Sequence, residues 1–185
     1  MENGEIIGRI KENVLRRVNT DKIMWFSMWF LVSITTFGLA LFPMIYQLIE
    51  RRNRHFHRQK ELETFAISVL KRKGINIEVE PEKLRERNSF LWTLSIVLIV
   101  PIFAVAFFLS KDLLLHERRQ VSLFKKILPD EDVAEQKIDL KFYVAITLAT
   151  LGVGIIYWLY RVFNDYNNHF KEQWKIEDRM VELLG

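Results

Sequence analysis

The sequence predicts an all-α, polytopic membrane protein of one domain, with three transmembrane helices, amphipathic extramembrane helices and an internal repeat of spans one and three. Three observations lead there. Charge falls into blocks and leaves residues 23–49, 88–110 and 142–160 without a charged side chain. As helices rising about 1.5 Å per residue, these runs measure roughly 40, 35 and 28 Å, against a hydrocarbon layer of about 30 Å. The first and third runs also lead into matching polar helices, and no strand-like alternation appears along the chain.

Residues 1–22 place Ile6, Ile7, Ile10, Val14 and Val18 at helical spacing, with Arg9, Lys11, Arg16 and Arg17 around the rest of the turn. That is the pattern of a basic amphipathic helix lying on a membrane surface. Span one follows over 23–49. Trp25 and Trp29 mark the interface where it begins, and Pro43 predicts a kink near its far end. The run far exceeds the ~7–15 apolar residues of a signal peptide and no small-residue cleavage site follows, so it reads as a span.

Residues 50–87 continue as an extramembrane helix with an apolar stripe at Leu62, Phe65, Ala66, Val69 and Leu70. Lys71, Arg72 and Lys73 form its basic last turn and Gly74 its cap. An extended connector over 75–80 leads to a helix start at Pro81 and Glu82. Span two covers 88–110, bent at Pro101. Residues 111–141 hold a second surface-lying piece, with Leu113 to Leu115, Leu123, Phe124, Ile127 and Leu128 as its apolar face, stopped at Pro129 and Asp130. Span three covers 142–160 and ends in Tyr157, Trp158 and Tyr160, rings suited to interfacial anchoring. Residues 161–185 form a charged C-terminal helix.

The repeat is gapless over 35 positions. Thr36, Gly38, Tyr46, Asn53, His55, Phe56, Gln59, Glu63 and Leu70 recur as Thr150, Gly152, Tyr160, Asn167, His169, Phe170, Gln173, Glu177 and Leu184, each 114 residues later. Spans one and three are separated by one crossing, so they run parallel about a pseudo-twofold axis along the membrane normal, and both polar helices emerge on one side. His55, Gln59 and Glu63 share one helix face, as do His169, Gln173 and Glu177. Those faces are expected to dock as a hydrogen-bonded layer that fixes helix register.

A metal site is not expected. His and Glu eight residues apart lie about 12 Å apart along one helix, and Gln is a poor ligand. His116 and Gln120 repeat the spacing after span two, but without the Asn, Phe and Glu, and read as chance.

Zero cysteines exclude disulfides, thiolate metal sites and S-palmitoylation. The spans contain no Asp, Glu, Lys, Arg or His, which disfavours ion-coupled transport by one copy. Small residues at Gly38, Ala40, Ala145, Ala149, Gly152 and Gly154 favour close packing between spans or protomers. The net charge of +4 suits anionic lipid head groups better than nucleic acid. Placing the first loop and the C-terminus in the cytoplasm puts 15 Lys and Arg inside against 12 outside, a slight positive-inside bias.

The run from Thr150 through Gly152, Tyr157, Trp158 and Tyr160 to Arg161, with Asn167 beyond, resembles the motif of a family of small prokaryotic integral membrane domains of unknown function. The copy at 36–47 keeps Thr36, Gly38 and Tyr46 but has Pro43 and Met44 in place of the Tyr-Trp pair. The resemblance implies membrane residence and a compact helical bundle, and no activity. The expected function is therefore a non-catalytic assembly or accessory subunit of the cell membrane, forming a homo-oligomer or part of a larger complex. A channel or transporter subunit is the first alternative. A membrane-edge enzyme or metal site on the His/Glu face is the second; it requires a water-accessible pocket beside His55 and His169. No catalytic residue, cofactor or metal ligand is assigned.

Overall fold

The computed structural model describes residues 3–72, 74–75, 84–128, 133 and 135–184, and every element among them is helical. In chain order these are α1 (Asn3–Leu15), α2 (Arg17–Thr20), α3 (Phe26–Thr35), α4 (Leu41–Arg72), α5 (Ser89–Ser95), α6 (Pro101–Ile127), α7 (Leu140–Ala149) and α8 (Ile155–Leu184). A 3-10 turn, Ile96–Leu98, joins the end of α5. The expected connector over 76–80, Lys73, Pro81, Glu82, the stop at Pro129 and Asp130, and Gly185 lie outside the described residues.

Each charge-free run is broken by a turn where one continuous span was expected. A short helix ends, the chain reverses, and a long helix carries it out of the apolar zone into charged sequence. Among the described residues no helix is long and apolar enough to cross a membrane.

The turns explain two of the repeated residues. Thr36 Oγ1 accepts the Ala40 N–H at 3.0 Å, and Thr150 Oγ1 accepts the Gly154 N–H at 2.7 Å. Gly38 and Gly152 take φ values of +89° and +97°, which a Cβ would oppose. Gly38 donates to the Ser33 carbonyl and Gly152 to the Thr147 carbonyl, closing the short helices in the Schellman manner. The start of α8 then presses on α7: a Cβ on Gly154 would stand 2.8 Å from Ile146 O and Thr147 Cα.

The middle run turns without a glycine. Ile99, at φ +63° and ψ −54°, forms a γ-turn in which Val100 N–H donates to Leu98 O at 2.7 Å. Pro101 therefore opens α6 as its first residue and does not bend a span. Pro43 likewise sits in the first turn of α4, where its missing N–H costs nothing.

The long helices α4, α6 and α8 form a parallel bundle with three-fold pseudo-symmetry. Gly38, Ile99 and Gly152 each lie 17 residues before a histidine, at positions 55, 116 and 169. Ile45, Ala106 and Leu159 lie ten residues before these histidines, Leu48, Leu109 and Val162 seven before, and Gln59, Gln120 and Gln173 four after; all are buried. Equal spacing along helices of equal rise brings the three turns to one end of the bundle.

These layers take up stripes expected to face lipid. Leu113, Leu123 and Phe124 belong to the single helix α6 and are buried. Ile6, Ile10 and Val14 of α1 pack on Leu62 and Val69 of α4, so the N-terminal helix turns its apolar side to the protein.

The three units, each a short helix, its turn and the long helix after it (α3–α4, α5–α6 and α7–α8), also clasp one another in cyclic order. Asn53 of unit one brackets the backbone of Arg87, just before α5, accepting its N–H at 3.1 Å and donating to its carbonyl at 2.7 Å. Asn167 of unit three does the same to Met24, just before α3, at 3.1 and 2.7 Å. In unit two Glu117 accepts the Gln136 N–H at 3.1 Å, ahead of α7. Each long helix thus holds the segment leading into the next hairpin, and the third closes the ring on the first.

Candidate functional site

On the bundle axis three buried imidazoles meet, one from each long helix. His55, His116 and His169 each offer a ring nitrogen, and those nitrogens lie within 4.8 Å of one another. The Nε2 atoms of His55 and His169 are 3.1 Å apart. His116 stacks on Phe56 at 4.0 Å between ring centroids.

Carboxylates hold two of the rings from behind. His55 Nδ1 lies 2.9 Å from Asp21 Oδ1, and His169 Nδ1 contacts Glu117 Oε2. An ionised carboxylate only accepts, so both Nδ1 atoms carry a proton and the two Nε2 atoms are turned toward each other.

The electrostatics keep this arrangement. Burial pushes His55 down to about 4, despite the pull of Asp21, so its ring is neutral at pH 7. Burial opposes the ionised form of Asp21, but the hydrogen bond from His55 and the charge of Arg58 hold it well below the usual carboxylate range. Burial likewise opposes ionisation of Glu117, and the His169 contact outweighs it, lowering the group. Arg58 Nη2 bridges Asp21 Oδ2 at 2.6 Å and Glu177 Oε1 at 2.8 Å. Trp174 Nε1 donates to Asp21 Oδ2 at 2.8 Å.

One helical turn beyond the histidines lies the glutamine layer. Gln120 Nε2 donates to Gln59 Oε1 at 3.2 Å, and Gln59 Nε2 donates to Glu177. Gln120 Oε1 and both amide atoms of Gln173 are buried without a hydrogen bond. Beside them is a void of about 20 Å³ lined by Glu117, Gln120, His169 and Gln173 among others.

The six residues expected to pair two helices are all buried, in a layer that serves three. His55 meets His169 and Gln59 meets Glu177, whereas Glu63 turns to α6 and pairs with Arg119 Nη2 at 2.6 Å. His116 and Gln120, read as chance spacing, complete the layer. Asp21 and Glu117 were not anticipated as partners of the rings. Their signals are faint: an Asp in a short loop, and a Glu where the other units carry Phe56 and Phe170.

Of the expected interfacial anchors, Trp25 is exposed and Tyr157 and Tyr160 are half exposed. Trp29 packs partly against the core. Trp158 is buried and donates from Nε1 to Ser110 Oγ at 2.9 Å, because its side of α8 faces α6.

No protein-family model, curated protein or solved structure matches the chain, so the likeness of residues 150–161 to a membrane family stands on that motif alone.

Proposed function

We propose that this is a monotopic membrane protein whose three helical hairpins insert into one leaflet and carry a rigid polar head on the same side. One observation carries the reading: the turns that gather at one end of the bundle are apolar and bare. Phe37 is 99% exposed, Leu151 97% and Ile99 72%, and no charge lies within nine residues of any of them. Apolar surface so placed marks a contact with lipid or protein.

Two further features favour lipid. Helices of ten residues such as α3 and α7 reach about 15 Å, half the hydrocarbon layer. Tyr46, Phe107 and Tyr160, each nine residues before its histidine, are 42%, 41% and 45% exposed and ring the base of the hairpins, where amphipathic rings settle. The repeated Tyr of the motif thereby has a physical role.

A non-catalytic assembly or accessory role suits such a head. Leu48, Leu109 and Val162 are buried on the axis of one copy, where a pore would have to run, and the void that His169 lines holds about 20 Å³. The chain has no cysteine, so single cysteines report topology directly. In vesicles, Arg54→Cys, Arg118→Cys and Lys175→Cys are expected to react with an impermeant maleimide from one and the same side. Labelling of Arg118→Cys from the opposite side would restore the three-span arrangement and end this reading.

A further inference from the structure

We propose that His55, His116 and His169 form a binding site for one divalent first-row transition metal ion, of the zinc class, on the pseudo-three-fold axis. The site is independent of how the hairpins meet the membrane.

The first argument is the lone-pair conflict. With each Nδ1 donating to a carboxylate, the Nε2 atoms of His55 and His169 face each other at 3.1 Å in the buried interior, a contact that repels when both are in the lone-pair form a metal requires. A metal ion between them, accepting both lone pairs, turns that repulsion into attraction. Three ligands about 2.05 Å from a shared tetrahedral ion stand about 3.3 Å apart. The His55–His169 separation is already close to that value, and the 4.8 Å limit on the third ring asks for a shift of about an ångström.

The surroundings are those of a metal centre. Metal-bound imidazoles habitually donate their second nitrogen to a carboxylate, which fixes the ring and raises its basicity. Asp21 and Glu117 stand in those positions. Asp21, Glu117 and Glu177 bring three carboxylates to the cluster, where they meet Arg58, Arg51 one turn away and Arg17, 3.9 Å from Glu177. Three imidazoles without thiolate or a chelating carboxylate suit zinc, copper, nickel or iron over magnesium or calcium.

A fourth ligand also has a place. The 20 Å³ void beside His169 is large enough for one water. Gln120 Oε1 and the amide of Gln173, buried there without a hydrogen bond, can orient a water bound to the ion. The void shares Glu117, Val133, Glu172 and Ile176 with a surface cleft of about 340 Å³, which gives the ion a route from solvent.

The test uses full-length protein in mild detergent, stripped with chelator and titrated with Co2+. One equivalent per chain is expected, with the visible d–d bands of a four-coordinate nitrogen and oxygen site, bleached by one equivalent of Zn2+. His116→Gln and His169→Gln should abolish the bands. His57→Gln, which alters the exposed histidine near Glu61 and Glu86, should retain them. Wild-type protein that gives neither bands nor a thermal shift with saturating Co2+ or Zn2+ would overturn the proposal, without recourse to any variant. So would binding that survives in both ring variants.

Discussion

His55 and His169 occupy equivalent places in two repeats, and their Nε2 atoms lie 3.1 Å apart with nothing but ring edges between them. The contact is a direct consequence of the duplication, which put the same residue at the same height on two parallel helices. Asp21 decides which face of His55 is presented. Its Oδ1 receives the ring N–H while Oδ2 takes Arg58 and Trp174.

Asp21→Asn removes that acceptor charge and turns one of its atoms into a donor facing donors. Half of the carboxylate cage around Arg58 is lost with it, leaving a buried guanidinium short of a counter-charge. Breaking a buried ionic partner costs about 3–5 kcal/mol. Loss of a carboxylate behind a metal-bound imidazole weakens binding by about 10–100-fold. Thermal unfolding of chelated protein reads the first effect, and Zn2+ titration of the variant reads the second. Unchanged zinc affinity would remove Asp21 from the centre.

The chelated protein is expected to lose stability in mild acid. Asp21, Arg58, His116 and His169 face His55, whose folded value is about 4, below the ordinary 6.5 of an unfolded chain. From pH 6.5 downwards the unfolded chain takes up this proton and the folded one does not. Stability present above pH 6.5 therefore falls until about pH 4 and then levels, with His55 contributing about 3 kcal/mol to the loss. Melting temperatures of wild type and His55→Gln between pH 7.5 and 4 separate this group from the rest. A rise in wild-type stability over that window would mean that His55 and His169 share a proton across their contact.

Much of this architecture is legible in the chain, and its failures are instructive. The 114-residue repeat, the helical class and the burial of the His–Gln–Glu faces follow from residues 36–70 and 150–184 read side by side. The turns do not follow, because a hydropathy run registers composition and not direction. Phe37, Leu151 and Ile99 are as apolar as a span interior while their φ values of 51°, 50° and 63° reverse the chain. Gly38, read as a small residue for helix packing, forms the turn itself together with Thr36. In unit two a β-branched residue takes the strained position with no glycine to announce it, at a cost of about 1–3 kcal/mol. The third unit hid for the same reason: it preserves the axis residues His116 and Gln120, where three rings must meet, and little else.

The asparagine clasps close the ring of three hairpins, and they should behave as separate locks. Asn167→Ala leaves the Met24 N–H and carbonyl without their side-chain partner and removes one acceptor from Arg51, whose Nη1 donates to Asn167 Oδ1 at 3.0 Å. Asn53→Ala does the equivalent to Arg87. Buried hydrogen-bonding groups left unsatisfied cost about 1–3 kcal/mol each, so Asn167→Ala is expected to lose about 2–4 kcal/mol and Asn53→Ala, whose bonds to Arg87 are only partly buried, less. The two clasps share no partner, which makes their effects additive within about 0.5 kcal/mol in the double variant. Protease cleavage between residues 20 and 26 should accelerate in Asn167→Ala and stay unchanged in Asn53→Ala, because only the first frees the segment leading into α3. Equal acceleration in both would show that the asparagines stabilise the bundle globally and not one hairpin each.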